Sequence, residues 1–310
     1  MKKYKIILFG VKETTKIIAH YLHENHIKVD LIISISPSCL AKTDIANYTD
    51  LQDTATLIGA DYYCVTDYSL KSLKDNFFYE NEFELGIVYG WQRLIPASVI
   101  ATFRTGIFGF HASPELLPKG RGRSPLNWGL ILGKTQLFNH LFKYAKDADA
   151  GDIYSIREFA INPQDTILTL LYKSLIVSRQ EIIRLIKDVN AGTLKLTEQR
   201  GESYFFPKRS AQDGLIDFQT NTTKHIVDLI RGVTKPFPGA FCFNQQGHKI
   251  IIWEAWPFDH LIDFSAYQSG EVIDNLYNLP IIKTMDGSLI VIHYEGGLLS
   301  KNERLGLVSS

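Results

Sequence analysis

Sulfur is scarce in this chain: 310 residues hold three cysteines and two methionines. Cys39, Cys64 and Cys242 are far apart and odd in number, which excludes a disulfide framework and a zinc knuckle. They read as buried thiols of a reducing compartment. Charge of one sign is missing too. Thirty-three Lys and Arg balance thirty-three Asp and Glu, so no basic excess draws the molecule to nucleic acid. Long apolar runs are absent. The opening MKKYKIILFG has an apolar stretch of only about five residues before Gly10, shorter than a secretory h-region of roughly 7–15 residues. It predicts a first strand, no membrane span and a cytoplasmic location. The turn after it, Gly10-Val11-Lys12-Glu13-Thr14, has one glycine where dinucleotide binding needs three, so NAD(P) is not expected. The nine histidines form no ligand-spaced cluster, and no metal is expected. His20, His23 and His26 fall three apart at the polar end of an expected helix and read as solvated.

What is present suffices for two packed domains. The chain is 45% hydrophobic and only 21% charged, so a sizeable core can form. Short apolar runs at 4–9, 29–35, 61–65, 85–89 and 106–111 predict buried strands. Helices are expected between them at 14–21, 97–103 and 124–132. This alternation predicts an α/β fold with a Rossmann-like, mostly parallel sheet and helices on both faces. A long helix is expected over 165–189, where apolar residues recur at helical spacing. The polar stretch 191–213 reads as a linker between domains at 1–190 and 214–310. The second domain shows one helix at 223–231 and then short strands at 240–243, 249–254, 280–284 and 288–294. That order predicts a smaller β-rich domain resembling an OB-type barrel.

The most informative stretch is 111–151. It opens with His111 at the end of a predicted strand and closes with Asp149 in a tight turn. Between them lies a loop rich in proline, glycine and arginine, followed by a helix. An imidazole and a carboxylate brought together beside guanidinium groups suit proton handling next to an anionic substrate. In doubly wound sheets ligands sit beyond the carboxyl ends of strands. His111 and the turn Tyr89-Gly90-Trp91 both lie there, so they can share one crevice. A core histidine and a turn-capping aspartate are the plainer reading of the same two residues.

The frame around the pair resembles a known family. Gly109-Phe110-His111, Leu116-Leu117-Pro118, Arg121-Gly122 and Asp149-Ala150-Gly151 are similar, in order and spacing, to motifs of the folate-dependent formyltransferases. That group contains methionyl-tRNA formyltransferase and bacterial sugar N-formyltransferases. Residues 213–218 (DGLIDF) and 235–241 (KPFPGAF) resemble its C-terminal signatures, and the likeness runs from about Tyr4 to Tyr294.

The resemblance implies formyl transfer from N10-formyltetrahydrofolate to an amine, with His111 and Asp149 as the catalytic pair. It implies folate binding by Tyr89, Gly90, Trp91, Gln92, Arg93 and Leu94, with Lys146 and Asp147 among the folate-binding residues. Trp91 and Leu94 would line an apolar slot for the pterin. Lys119, Arg121, Gly122, Arg123 and Ser124 would meet the acceptor, arginine forks being suited to phosphates. One departure stands out: the family has asparagine where this chain has Gly109, so an amide donor to the formyl oxygen is missing. His140 and its neighbour Asn139 are the expected stand-ins, of which a strand can point only one into the site.

The acceptor is read as a nucleotide-linked amino sugar for a cell-surface polysaccharide. The segment 34–50 has fewer positives than negatives where the tRNA enzymes carry a basic insertion. Arg123 and Asn127 in RGRSPLNW resemble the formyltransferase half of the bifunctional 4-amino-arabinose lipid A enzyme. Methionyl-tRNA formylation, and a folate or nucleotide-sugar binder that lost catalysis with the asparagine, are the alternatives. A homodimer through exposed strand edges of the C-terminal region is also expected.

Overall fold

The computed structural model describes residues 1–43, 45, 47–71 and 76–306. Strand β1 (Lys3–Phe9) leads through α1 (Glu13–Glu24) to β2 (Leu31–Ile35), and short helices α2 (Pro37–Leu40) and α3 (Gln52–Ile58) precede β3 (Asp61–Val65). Helix α4 (Phe77–Glu80) precedes β4 (Glu82–Val88), and α5 (Ala97–Ile100) precedes β5 (Phe103–Ser113). A two-residue strand β6 (Arg121–Gly122) and α6 (Pro125–Ile131) connect to β7 (Gln136–Lys143), β8 (Ile153–Ala160) and the long helix α7 (Ile167–Ala191).

These strands form one sheet in the order β3-β2-β1-β4-β5-β7-β8. The first five are parallel, as the strand-helix alternation predicts. Strand β7 then pairs antiparallel to both β5 and β8. Helix α6, which lies between β5 and β7 in the chain, packs against α8 of the C-terminal domain as well as against β5, β7 and α7.

Strand β1 is central, so its apolar run is buried on both faces. Phe9 joins Val11, Phe78, Phe83, Trp91 and Phe103 on one face. Leu8 meets Ile18, Leu22, Ala55, Ile182 and Leu185 from α1, α3 and α7 on the other. The helix expected at 97–103 stops at Ile100, because Phe103 turns inward onto Phe83 (ring centroids 5.0 Å apart) and starts β5. Strand β8 escaped the sequence reading. It is an edge strand whose residues are largely exposed or half-buried, so it lacks an apolar run.

The stretch 191–213 is tethered along the N-terminal domain. Thr197 bridges Ile153, and β9 (Phe205–Phe206) pairs with β6. A single 3₁₀ turn (Ala211–Gly214) then leads to α8 (Thr223–Val233), whose Ile226, Leu229 and Ile230 pack on the second sheet. That sheet is antiparallel, with β10 (Ala240–Phe243), β11 (Lys249–Pro257), β12 (Val272–Leu276), β13 (Leu279–Lys283) and β14 (Ser288–Glu295). Its order is β10-β11-β14-β13-β12. The edge strands are not left bare: Phe243 bridges Gly306 and Glu271 bridges Arg304, so one terminal segment ties both edges. Among the described residues no helix is long and apolar enough to cross a membrane.

Candidate active site

Strand β5 carries His111 past the end of its parallel neighbour. Strand β4 ends at Val88, which pairs with Gly109, so His111 stands two residues further along, beside the turn that starts at Tyr89. A cavity of about 410 Å³ opens at this point, lined among others by Tyr89, Trp91, His111, Asn139 and Tyr144. The crevice expected from two strand ends is there.

His111 is 6% exposed, and its Nε2 lies 2.8 Å from the Gly120 carbonyl oxygen. A carbonyl only accepts, so Nε2 carries the proton in this contact. Nδ1 lies 3.6 Å from Asp149 Oδ2, longer than a hydrogen bond and close enough for the carboxylate to act on any positive charge the ring takes up. Gly120 makes the anchor possible. Its φ is +70°, and a Cβ there would sit 2.4 Å from Ser113 Oγ. Asp149 also has left-handed φ, +54°, a conformation that aspartate tolerates better than most residues. Its Oδ2 accepts from the Gly122 N–H at 3.3 Å. Gln199 fixes the same turn: its Nε2 donates to the carbonyls of Asp149 (2.8 Å) and Gly151 (2.7 Å), while its Oε1 accepts from Arg121 at 2.7 Å. Sequence reasoning missed Gln199, which lies 50 residues beyond Asp149 in a polar stretch without periodicity.

The expected stand-ins for the absent amide are both committed elsewhere. His140 pairs directly across from His111 and is fully buried. Its Nδ1 donates to the His111 carbonyl at 3.0 Å, and its Nε2 accepts from the Leu117 N–H at 3.2 Å. Both nitrogens serve backbone groups, so His140 holds the 114–120 loop and is not a donor to substrate. Burial, opposed by the bond to the His111 carbonyl, pushes its pKa down from 6.5 to about 4. Asn139 sits on the opposite face, as strand geometry requires. Its Nδ2 donates to Ser178 Oγ at 2.9 Å, and its Oδ1 faces Ser174 Oγ at 3.5 Å.

The remaining expected residues divide. Tyr89, Gly90, Trp91, Gln92 and Ser124 line the cavity. Trp91 is also a core residue, edge-on to Phe9 (6.0 Å) and Tyr68 (4.6 Å). The Gln92 N–H donates to the Tyr68 hydroxyl at 2.8 Å, and Arg93 lies over the Tyr68 ring. Leu94, 64% exposed, does not line the slot expected of it. Lys146 and Asp147 are exposed and also lie off the cavity wall. In the loop before α6, Lys119 and Arg123 point to solvent, whereas Arg121 is half-buried on Gln199. Ser124 and Asn127 continue the cavity into a smaller one of about 160 Å³ that also borders Arg209 and Phe237. Residues of the second domain therefore reach the site, as do Leu171 and Ser174 of α7. A separate, largely apolar cavity of about 490 Å³ lies between Trp253, Trp256 and Arg231, away from His111.

The Formyl transferase family profile matches residues 4–186, and the Formyl transferase, C-terminal domain profile matches 208–297. Among solved structures the fold is shared with HypX from Aquifex aeolicus (TM-score 0.67, 18% identity), covering 95% of this chain. This chain spans only 44% of that HypX chain. It is similar to an N-formyltransferase from Helicobacter canadensis in complex with folinic acid and dTDP-3-aminofucose (TM-score 0.65, 18% identity), covering 93% of this chain and 98% of that one. Methionyl-tRNA formyltransferase from Clostridium thermocellum is also similar (TM-score 0.58, 18% identity, 82% and 93% covered). With both profiles matched in chain order over most of its length, the chain belongs to the formyl transferase family.

Proposed function

We propose that this protein moves a formyl group from N10-formyltetrahydrofolate to the amine of a nucleotide-linked amino sugar. The observation that carries the reading is the buried His111, anchored through Nε2 and facing Asp149 across 3.6 Å at the mouth of the Tyr89–Gln92 turn. With Nε2 held by Gly120, Nδ1 is the nitrogen left to handle a proton. The amine nitrogen bonds to the formyl carbon, the bond from that carbon to N10 breaks, and the amine's proton passes by way of His111 to N10. Asp149 offsets the positive charge that the imidazole takes up in between. Hydrogen bonds of this kind are often long before substrate enters and tighten in the complex.

The cavity fits a folate in kind: Trp91 and Leu171 line it with apolar side chains, and the backbone of the turn at Gly90 and Trp91 borders it. The amino-sugar acceptor is supported by the balanced charge, which gives the chain no overall basic excess to attract tRNA. The Helicobacter canadensis structure, crystallised with a dTDP-amino sugar, is consistent with that choice.

The test is a panel of dTDP-, UDP- and GDP-linked amino sugars with N10-formyltetrahydrofolate, products read by mass. One sugar gaining a formyl group, and losing that gain in His111→Ala, supports the reading. Formylated methionyl-tRNA with every sugar untouched would replace the acceptor.

A further inference from the structure

Gly109 lies two residues before His111 on the same face of β5. A Cβ built there would be 2.4 Å from Tyr144 Cε1, 2.7 Å from Cζ and 2.6 Å from the phenolic oxygen. A side chain at 109 and the Tyr144 ring in this position cannot coexist. The ring of Tyr144 therefore fills the volume that a side chain at 109 would take, and its hydroxyl stands where the polar end of a short side chain would begin. Glycine at 109 is what admits it.

The ring is well held. It stacks on Phe142 with centroids 5.5 Å apart and planes at 24°, and the Tyr144 N–H donates to the Ile107 carbonyl at 2.6 Å. Leu117 and Ile153 complete its pocket. Tyr144 also lines the cavity that His111 borders. Among the described residues its hydroxyl makes no hydrogen bond, although the ring is largely enclosed. A half-buried phenol with no acceptor has its donor capacity free for a ligand. Burial, and secondarily the Asp149 carboxylate, raise its pKa above the ordinary phenol value, so it stays a donor at neutral and mildly alkaline pH.

We infer that the Tyr144 hydroxyl is the hydrogen-bond donor to the formyl oxygen, in the place left open by glycine at 109. The inference rests on the formyl transfer proposed above. As the amine nitrogen bonds to the formyl carbon, the carbonyl electron pair moves onto oxygen. The tyrosine O–H donates to that oxygen without giving up its proton. Collapse then returns the pair to carbon, expels N10 and leaves Tyr144 unchanged. Removing one such donor costs roughly 10²–10³-fold in turnover.

The experiment uses the intact chain and whichever acceptor the wild type formylates in the panel. Tyr144→Phe keeps the ring and its stacking and removes only the hydroxyl. The expected result is a fall in kcat of roughly 10²–10³-fold with both KM values within about threefold. A second pair separates chemistry from packing: Gly109→Asn combined with Tyr144→Ala is expected to recover at least about tenfold in kcat over Tyr144→Ala alone, because an amide then occupies the vacated space. A Tyr144→Phe protein that folds and turns over within about threefold of wild type overturns the inference. A wild type that formylates neither sugar nor tRNA overturns the proposed reaction, and the role of Tyr144 with it. The two failures are told apart by the wild type alone.

Discussion

His140 sets up a test that needs no substrate. Its two ring nitrogens hold opposite duties: Nδ1 must donate to the His111 carbonyl and Nε2 must accept from the Leu117 N–H. Only one neutral tautomer can do both, and adding a proton to Nε2 turns an acceptor into a donor that faces another donor. The folded state therefore resists protonation until pH falls to about 4, whereas the unfolded chain takes the proton near 6.5. Between those values the unfolded state binds more protons, so stability rises with pH and is lost on acidification. The full contribution is present above pH 6.5. By about pH 4 its loss amounts to about 3 kcal/mol. In His140→Leu the titration is gone, but the Leu117 N–H and the His111 carbonyl are orphaned, each at roughly 1–3 kcal/mol. The variant is thus expected to be clearly weaker than wild type at pH 7, with the gap closing by about 3 kcal/mol as pH falls to about 4. Urea unfolding of the two proteins in parallel, followed by tryptophan fluorescence, reads the difference while other titrating groups cancel. A gap that stays constant over this range would refute the assignment of His140 as a neutral strut.

Two further predictions concern residues described above. Asp149→Asn keeps the left-handed turn and an acceptor for the Gly122 N–H but removes the charge 3.6 Å from His111; kcat should fall about 10²-fold with the melting temperature unchanged. Steady-state kinetics showing near wild-type kcat would mean that Asp149 is a turn residue only. Asp228 is 5% exposed and holds Arg231, whose Nη1 reaches the carbonyls of Asn162 (3.1 Å) and Asp165 (3.2 Å) before α7. Asp228→Ala should cost about 3–5 kcal/mol, because it leaves a largely buried guanidinium without its carboxylate. Chemical denaturation reads that loss, and a change below about 1 kcal/mol would show that the arginine finds water or another partner.

Much of this architecture is legible in the amino acids, for physical reasons. Strand β1 and helix α7 are strongly patterned because each is buried along a whole face or on both. Strand β8 and the antiparallel run of β7 against β5 are not, since an exposed edge lacks an apolar run and strand direction leaves no local periodicity. At the site, His111 and Asp149 declare themselves through their motifs, and the alternation of a strand correctly separates Asn139 from His140. That both are already engaged is not legible from order alone, because their partners are Ser178, Leu117 and the His111 backbone. Gly109 shows the limit most sharply. From sequence it is only a missing amide; in space it is the opening that Tyr144, 35 residues later, fills.

The terminal segment that bridges both Phe243 and Glu271 bears on how the molecule behaves in company. A strand rim with open amides recruits strands from other molecules, the route to aggregation and to domain exchange. Here the chain caps its own rims at Gly306 and Arg304, so a neighbour approaching edge-on meets occupied ends. The homodimer expected through bare rims loses its simplest route. Side-chain surface of the same domain, such as the exposed Leu261, Tyr277 and Leu298, is left open to a neighbour. Cutting the chain after Asn302 would uncover both rims at once and turn a self-sealed sheet into a sticky one.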